Sequence, residues 1–554
     1  MRKMWRRLCL TYSTSDVTFT FGGHWLLDDR VKLEPFCRCG EWCGPKQELS
    51  KVTAQMFRRD FGKCSFGAMA AALMISPKES PSAMPRSDFP RITGLTDYVA
   101  KFISTTRYED IPAEVLELGK KSILDGLGLG LAGSKAATGA ICRKYLQSLG
   151  LCGGRSVVIG SNILASPRFA AFVNGVSLHA DDFDDTQLSA AKDRVYGLLV
   201  HPTVPVLPAA LALGDRVSGK DLMLAYHLGV EVECKIAEAI APRHYQDGFH
   251  STGTCGPFGS ATACAKLLRF ETSKIAHTLG LAASQSGGLR ENFGTMTKPF
   301  QAGHAAESGV VSADMVALGW TAAQQILEAD RGFFHAFGGS YDPTFINGRL
   351  GTPWTFSSPG ISLKPYPSGS LTHPAMTELA RLIALNKIEA NQVEKVDIGA
   401  NHNMTTTLLH HQPKTGLEAK FSMEFCLAIL LLRQKAGLGE FSDQVVEQPD
   451  VQEMISKINF YVDPQAESAG FDKMTSLLKI HLTNGKTISG NADFGKGSPA
   501  DPMTFEEAAT KFRGCAEFAE WPRSKTEKII ATVRNFESVS DTAALFPLLR
   551  AEGH

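Results

Sequence analysis

Helix-period segments rich in Ala, Gly and Ser recur from Ile92 to about residue 360, and they restrict the fold more than any other feature of the chain. "LTDYVAKFISTT", "PAEVLELGKKSILDGLGLGLAG" and "SGKDLMLAYHLGVEVECKIAEAI" carry apolar residues at three- and four-residue spacing. "FGSATACAKLLRF", "TSKIAHTLGLAASQSGG" and "AAESGVVSADMVALGWTAAQQIL" follow the same period. Small side chains let helix axes approach closely, so the pattern predicts buried helices packed on one another. Pro112 suits a first helical turn and Ser218 an N-cap.

After "FSSPGISLKPYPSGSLTHPA" the text changes. "VEKVDIGAN", "KINFYVDP" and "LLKIHLTNGKTISG" are β-rich, and Asn484-Gly485 between alternating runs is a hairpin signal. The helical text "HPAMTELARLIALNK" lies among them. The expected fold is mainly α: a helical domain over 91–360, a smaller α+β lid domain over 361–498, and helices over 499–554 returning to the first domain.

Residues 1–90 read differently. Their start is basic and hydroxylated, with no acidic residue before Asp16, and resembles a mitochondrial presequence. "SPKESPSAMPRSDFP" reads as a linker. The segment is expected to be a poorly structured extension. Cys37, Cys39 and Cys43 lack the fourth ligand and paired spacing of a zinc site. The seven cysteines beyond residue 64 are scattered singly, which points to a reducing compartment, cytoplasmic or mitochondrial. Zero formal net charge gives no overall field for nucleic acid, and no apolar run approaches the roughly 18 residues of a membrane span.

Chemistry concentrates where the helical pattern breaks. "NGVSLHADDFDDT" places Asp181, Asp182, Asp184 and Asp185 directly after an apolar helix. "LLVHPTVPVLPA" holds His201, "RHYQDGFHSTGTCGPFG" His244 and His250, "TMTKPFQAGHAAESG" Lys298 and His304, and "LKPYPSGSLTHPA" Lys364 and His373. Gly, Pro and Thr surround these residues, so they belong on loops or element ends, where sites are built. His244 and His304 are read as structural. "DDFDD" also contains the D-D-x-x-D pattern of metal-dependent isoprenoid synthases, but no second metal motif accompanies it.

The order of these motifs resembles the MmgE/PrpD family, which contains 2-methylcitrate dehydratases and cis-aconitate decarboxylases. The resemblance covers roughly residues 92–545. It implies a helical domain and a lid, a homodimer, an active site in the cleft between domains, a small tricarboxylate substrate, and catalysis without metal or organic cofactor. Carried over by motif, the catalytic residues are His201, His250, Lys298 and Lys364, with Asp182 and Thr186 binding substrate. Asp182 would orient and charge-balance Lys or His partners, and Thr186 would offer its hydroxyl to substrate or to Asp182. Asp181, Asp184 and Asp185 are expected to cap helices or to pair with Arg and Lys. A lid tyrosine seen in some decarboxylases has no counterpart in "NHNMTTTLLHHQPKTG".

"DFDDT" and "HPTVP" are closer to the decarboxylases than to the dehydratase forms "DFNDT" and "HPSDN", whereas the spacer "QLSAAKDRVYGLLV" is longer than in the decarboxylases. The expected function is therefore a cofactor-independent lyase that decarboxylates cis-aconitate or an alkyl analogue. The alternatives are a 2-methylcitrate or alkylcitrate dehydratase and an inactive family member serving as a scaffold.

Overall fold

Helices dominate the architecture because the small-residue faces find each other. The computed structural model describes residues 92–187, 200–240, 243–470 and 473–552. The N-terminal extension with its cysteines, and most of the spacer before His201, lie outside the described residues.

Ten helices frame the site: α1 (Ala113–Lys135), α2 (Pro167–His179), α3 (Thr203–Ala212), α4 (Gly219–Ala239), α5 (Ser251–Leu267), α6 (Thr297–Ala317), α7 (His373–Asn386), α8 (Met423–Arg433), α9 (Phe505–Phe518) and α10 (Arg523–Arg534). In the helical part, α2 and α5 both pack on α6, and α4 on α5. The α2–α6 crossing depends on two glycines. A Cβ at Gly175 would fall 2.8 Å from the Gly303 Cα, and one at Gly303 would fall 2.6 Å from the Phe172 carbonyl oxygen. Ser218 caps α4 as its sequence position suggests, accepting from the Asp221 amide at 3.1 Å. The helix α6 stops earlier than its apolar period. Gly319 adopts φ +99°, and the Trp320 amide turns back to the Met315 carbonyl.

The smaller α+β part has a four-stranded sheet. In chain order its strands are β1 (Val393–Ala400), β2 (Ile458–Val462), β3 (Ser476–Leu482) and β4 (Thr487–Ala492), and their order in the sheet is β2-β1-β3-β4. The β1–β2 pair is parallel, and the other two pairs are antiparallel. Gly485 takes φ +82° in the β3–β4 turn, which explains the Asn-Gly there. The helices α7 and α8 pack with this sheet around a core that includes Leu379, Val396, Phe425 and Ile480. The C-terminal helices α9 and α10 pack on α1 and share the large core of the helical part. No helix among the described residues is long and apolar enough to cross a membrane.

One short pairing matters most for the site. Thr186 and Gln187 pair antiparallel with Ser362 and Ile361. Lys364 follows two residues later, so this pairing carries it to the aspartate cluster.

Candidate active site

Three helices, α3, α5 and α6, begin at the wall of one cavity, and α2 ends there. Helix starts carry partial positive charge and unpaired amides, so this arrangement favours an anion. The cavity is lined by Asp182, His201, Tyr245, His250, Phe293, Lys298, Lys364, Ser370, Thr407 and Phe421, among others.

Asp182 organises the cations. Its side chain is buried and its backbone adopts φ +48°, a left-handed conformation that non-glycine residues rarely take outside constrained sites. One carboxylate oxygen accepts from Lys298 Nζ at 2.5 Å and Lys364 Nζ at 2.9 Å. Lys364 also donates to the Asp182 carbonyl at 2.8 Å. An uncompensated buried ammonium costs several kcal/mol, so neither lysine could sit here without this carboxylate. Burial would raise the Asp182 carboxyl, but Lys298 and Lys364 overcome it and hold the group far below the usual carboxylate range. Burial outweighs Asp182 at Lys298 and lowers its ammonium from the ordinary lysine value. The Lys298 ammonium also lies 5.3 Å and 5.4 Å from the Phe293 and Phe421 ring centres, which sheathe it.

The imidazoles have defined tautomers. His250 Nδ1 lies 2.7 Å from Gln301 Oε1, while the Gln301 amide nitrogen donates to the Leu289 carbonyl. The amide oxygen therefore faces the ring, Nδ1 carries the proton, and Nε2 presents a lone pair. That Nε2 is buried without a protein partner on a residue that lines the cavity. Burial, then Lys298 and His179, push the His250 imidazole well below its ordinary value. His201 Nδ1 lies 2.8 Å from Asp184 Oδ2 and 3.0 Å from the Asp185 carbonyl. Both neighbours are acceptors, so His201 is protonated at Nδ1 as well. Burial lowers its imidazole too, against the pull of Asp184.

The sequence reading missed His179. It is buried at the end of α2, with Nδ1 2.9 Å from Asp184 Oδ1 and Nε2 3.0 Å from Lys298 Nζ. Burial carries its imidazole down to about 4. The only signal in the text was a histidine closing an apolar helix just before the acids, a place where a buried polar ring needs partners.

Asp184 departs from the expected cap or Arg/Lys partner. It is buried between His179 and His201 and holds both rings. Burial raises its carboxyl, but His179 and His201 take it well below the usual range. Asp181 pairs with Lys420 at 2.8 Å. Asp185 accepts from the Thr203 amide and hydroxyl at the start of α3. Burial pushes it up to about 7.

Five of the six carried-over residues, Asp182, His201, His250, Lys298 and Lys364, line one cavity. Thr186 sits behind the wall, where its hydroxyl is 2.9 Å from that of Ser370, which does line it. His244 spends both ring nitrogens on the Phe337 carbonyl and the Thr254 hydroxyl. His304 faces Glu307.

His179, Asp182, Asp184 and His201 offer donor atoms within 4.8 Å of one another. They fit a divalent cation poorly, because both Asp184 oxygens face imidazole Nδ1 atoms and two ammonium groups already share Asp182. The D-D-x-x-D reading fares no better, since Asp181, Asp182 and Asp185 turn to three different partners.

Known proteins resemble this chain over most of its length. The human cis-aconitate decarboxylase (Homo sapiens) is 27% identical over 471 residues, covering 83% of this chain and 95% of the relative. The Mus musculus protein of that name is 26% identical, covering 83% and 94%. The Aspergillus terreus protein of that name is 26% identical, covering 82% and 96%. The MmgE/PrpD N-terminal domain model matches residues 97–346, and the MmgE/PrpD C-terminal domain model matches residues 366–537. The chain belongs to the MmgE/PrpD family.

Proposed function

We propose that this protein is a carboxy-lyase that converts cis-aconitate, or an alkyl-substituted analogue, to carbon dioxide and an itaconate-type methylene diacid. The observation that carries the reading is one cavity holding two buried ammonium groups and a buried imidazole with an unpartnered Nε2. The relatives named cis-aconitate decarboxylase support it.

The chemistry follows from charge. A tricarboxylate enters as a trianion, and Lys298 and Lys364 meet it with charge-assisted hydrogen bonds. The bond from the substrate's CH₂ to its own carboxylate breaks and carbon dioxide leaves. The electron pair shifts across the double bond to the carbon bearing another carboxylate. That carboxylate takes up the density as an aci-carboxylate, stabilised by ammonium groups already in place. A proton then goes to that carbon. His250 is the donor in this reading. Its imidazole is neutral in the empty cavity, and the incoming trianion raises its proton affinity. The balance is trianion plus proton giving dianion plus carbon dioxide. Asp182 keeps both lysines in place, Asp184 fixes the two other rings, and Thr186 holds Ser370 at the wall.

Dehydration of an alkylcitrate would need a base for the α-proton and an acid for the leaving hydroxyl, which similar side chains could provide. Supplying cis-aconitate, 2-methylcitrate and a longer alkylcitrate separately, and weighing the products, discriminates. Loss of the mass of carbon dioxide from cis-aconitate supports the proposal. Loss of water from either citrate, with cis-aconitate untouched, replaces it with a hydro-lyase. No reaction with any of the three favours the scaffold.

A further inference from the structure

Tyr245 belongs to none of the motif residues considered so far, yet it lines the cavity. It sits in the short helix Arg243–Gln246 of the helical part. The side chain is only partly buried as a whole, but its hydroxyl is buried and makes no hydrogen bond of good geometry. A buried hydroxyl left unpaired is costly, and native structures rarely keep one without a reason. Burial raises the phenol above its ordinary value, so it remains a donor.

The ring is held firmly. The Arg290 guanidinium stacks 3.7 Å from its centre. One Arg290 nitrogen donates to the Tyr245 carbonyl at 2.8 Å, and another reaches the Thr407 hydroxyl at 3.4 Å. Thr407 comes from the smaller part and lines the same cavity. Arg290 therefore clamps a phenol from one part of the molecule to a hydroxyl from the other. The Thr407 hydroxyl and the Arg290 guanidinium are near the phenol but make no hydrogen bond of good geometry with it, so an anionic oxygen entering a cavity walled by ammonium groups would meet an oriented donor.

We infer that Tyr245 is a substrate-contacting residue whose hydroxyl donates a hydrogen bond to a carboxylate of the bound tricarboxylate, and that Arg290 is its positioning residue. This rests on the tricarboxylate reading above. It adds a second kind of donor, a phenol, to the two lysines and places it on the stretch of wall shared with Thr407.

The test uses the full chain and tricarballylate, an unreactive tricarboxylate, as a binding probe in calorimetry, with cis-aconitate turnover measured alongside. Tyr245→Phe keeps the ring and the Arg290 stack and removes only the hydroxyl. A lost hydrogen bond to a charged group predicts weaker tricarballylate binding and a higher KM, each by roughly 10- to 100-fold. Thermal stability should hold or rise, because an unpaired buried hydroxyl has been removed. A merely structural tyrosine would lower Tm and leave binding alone. Arg290→Met should reproduce part of the binding loss, and the double variant should be little worse than Tyr245→Phe, because both changes remove one contact. Binding and KM of Tyr245→Phe within about twofold of the parent, in a parent that binds the probe and consumes cis-aconitate, overturn this inference alone. A parent that neither binds tricarballylate nor turns over cis-aconitate removes the tricarboxylate reading and this inference together.

Discussion

Four aspartates in five positions look interchangeable in the sequence and are not. Asp182 meets two ammonium groups, Asp184 two imidazoles, Asp181 one lysine, and Asp185 the start of a helix. Composition could say that acids cluster here but not which way each would turn, because a single left-handed residue, Asp182, redirects the chain. Asp184 is where this matters most. Asp184→Asn places an amide between two rings and can invert the tautomer of either. Turnover should fall by roughly 10²-fold or more, comparable with His250→Ala, while Asp181→Asn stays near the parent. Steady-state rates with cis-aconitate check this, and equal, mild effects from Asp184 and Asp181 would remove the network from the mechanism.

The histidines also set a pH signature. His250 and His201 are held below the ordinary imidazole value, and His179 is held down to about 4, so all three are neutral in the empty cavity at neutral pH. A trianion raises their proton affinity. Binding should then take up protons, and affinity should strengthen as pH falls from neutral toward the lowered imidazole values, by at most roughly tenfold per unit for each proton taken up. Calorimetry of tricarballylate in buffers of different ionisation enthalpy reads the proton count directly. Proton release, or flat affinity, would contradict the protonation of these imidazoles on binding.

Among the elements, period and punctuation were legible where local rules act alone. The small-residue helices, the Ser218 cap and the Asn484-Gly485 hairpin all form as their residues direct. The end of α6 was not, since "WTAAQQIL" keeps an apolar period beyond the glycine that stops the helix. Helix partners were also hidden, because several glycine-bearing helices could have met. The α2–α6 crossing can be probed by Gly303→Val, which overpacks it against Phe172 and Val176. It should lower Tm by roughly 1–3 °C and reduce turnover, because α2 carries His179 and α6 carries Lys298. Gly514→Ala, inside α9 where an added Cβ meets nothing within 4 Å, serves as the control and should hold or slightly raise Tm with turnover unchanged. Equal Tm values for the two variants would mean that the crossing tolerates a side chain.

For the whole molecule, the order of motifs revealed the family, while proximity came only from folding. Residues as distant as Tyr245, Lys298, Lys364 and Phe421 meet around one cavity, with His179 against Lys298 behind its wall, because α2 packs on α6 and a two-residue pairing brings Lys364 across. Tyr245 and His179 stayed hidden in the text because neither breaks its local pattern with a charge. The central claim is that these cations and imidazoles stabilise and then protonate a carbanion left by carbon dioxide. Running the reaction on cis-aconitate in deuterium oxide, with carbon dioxide measured and the product examined by mass spectrometry and NMR, tests it most directly. The expected result is carbon dioxide release matched by a methylene diacid carrying one deuterium on its saturated CH₂. A product that retains every carbon, or a label absent from that position, would contradict it.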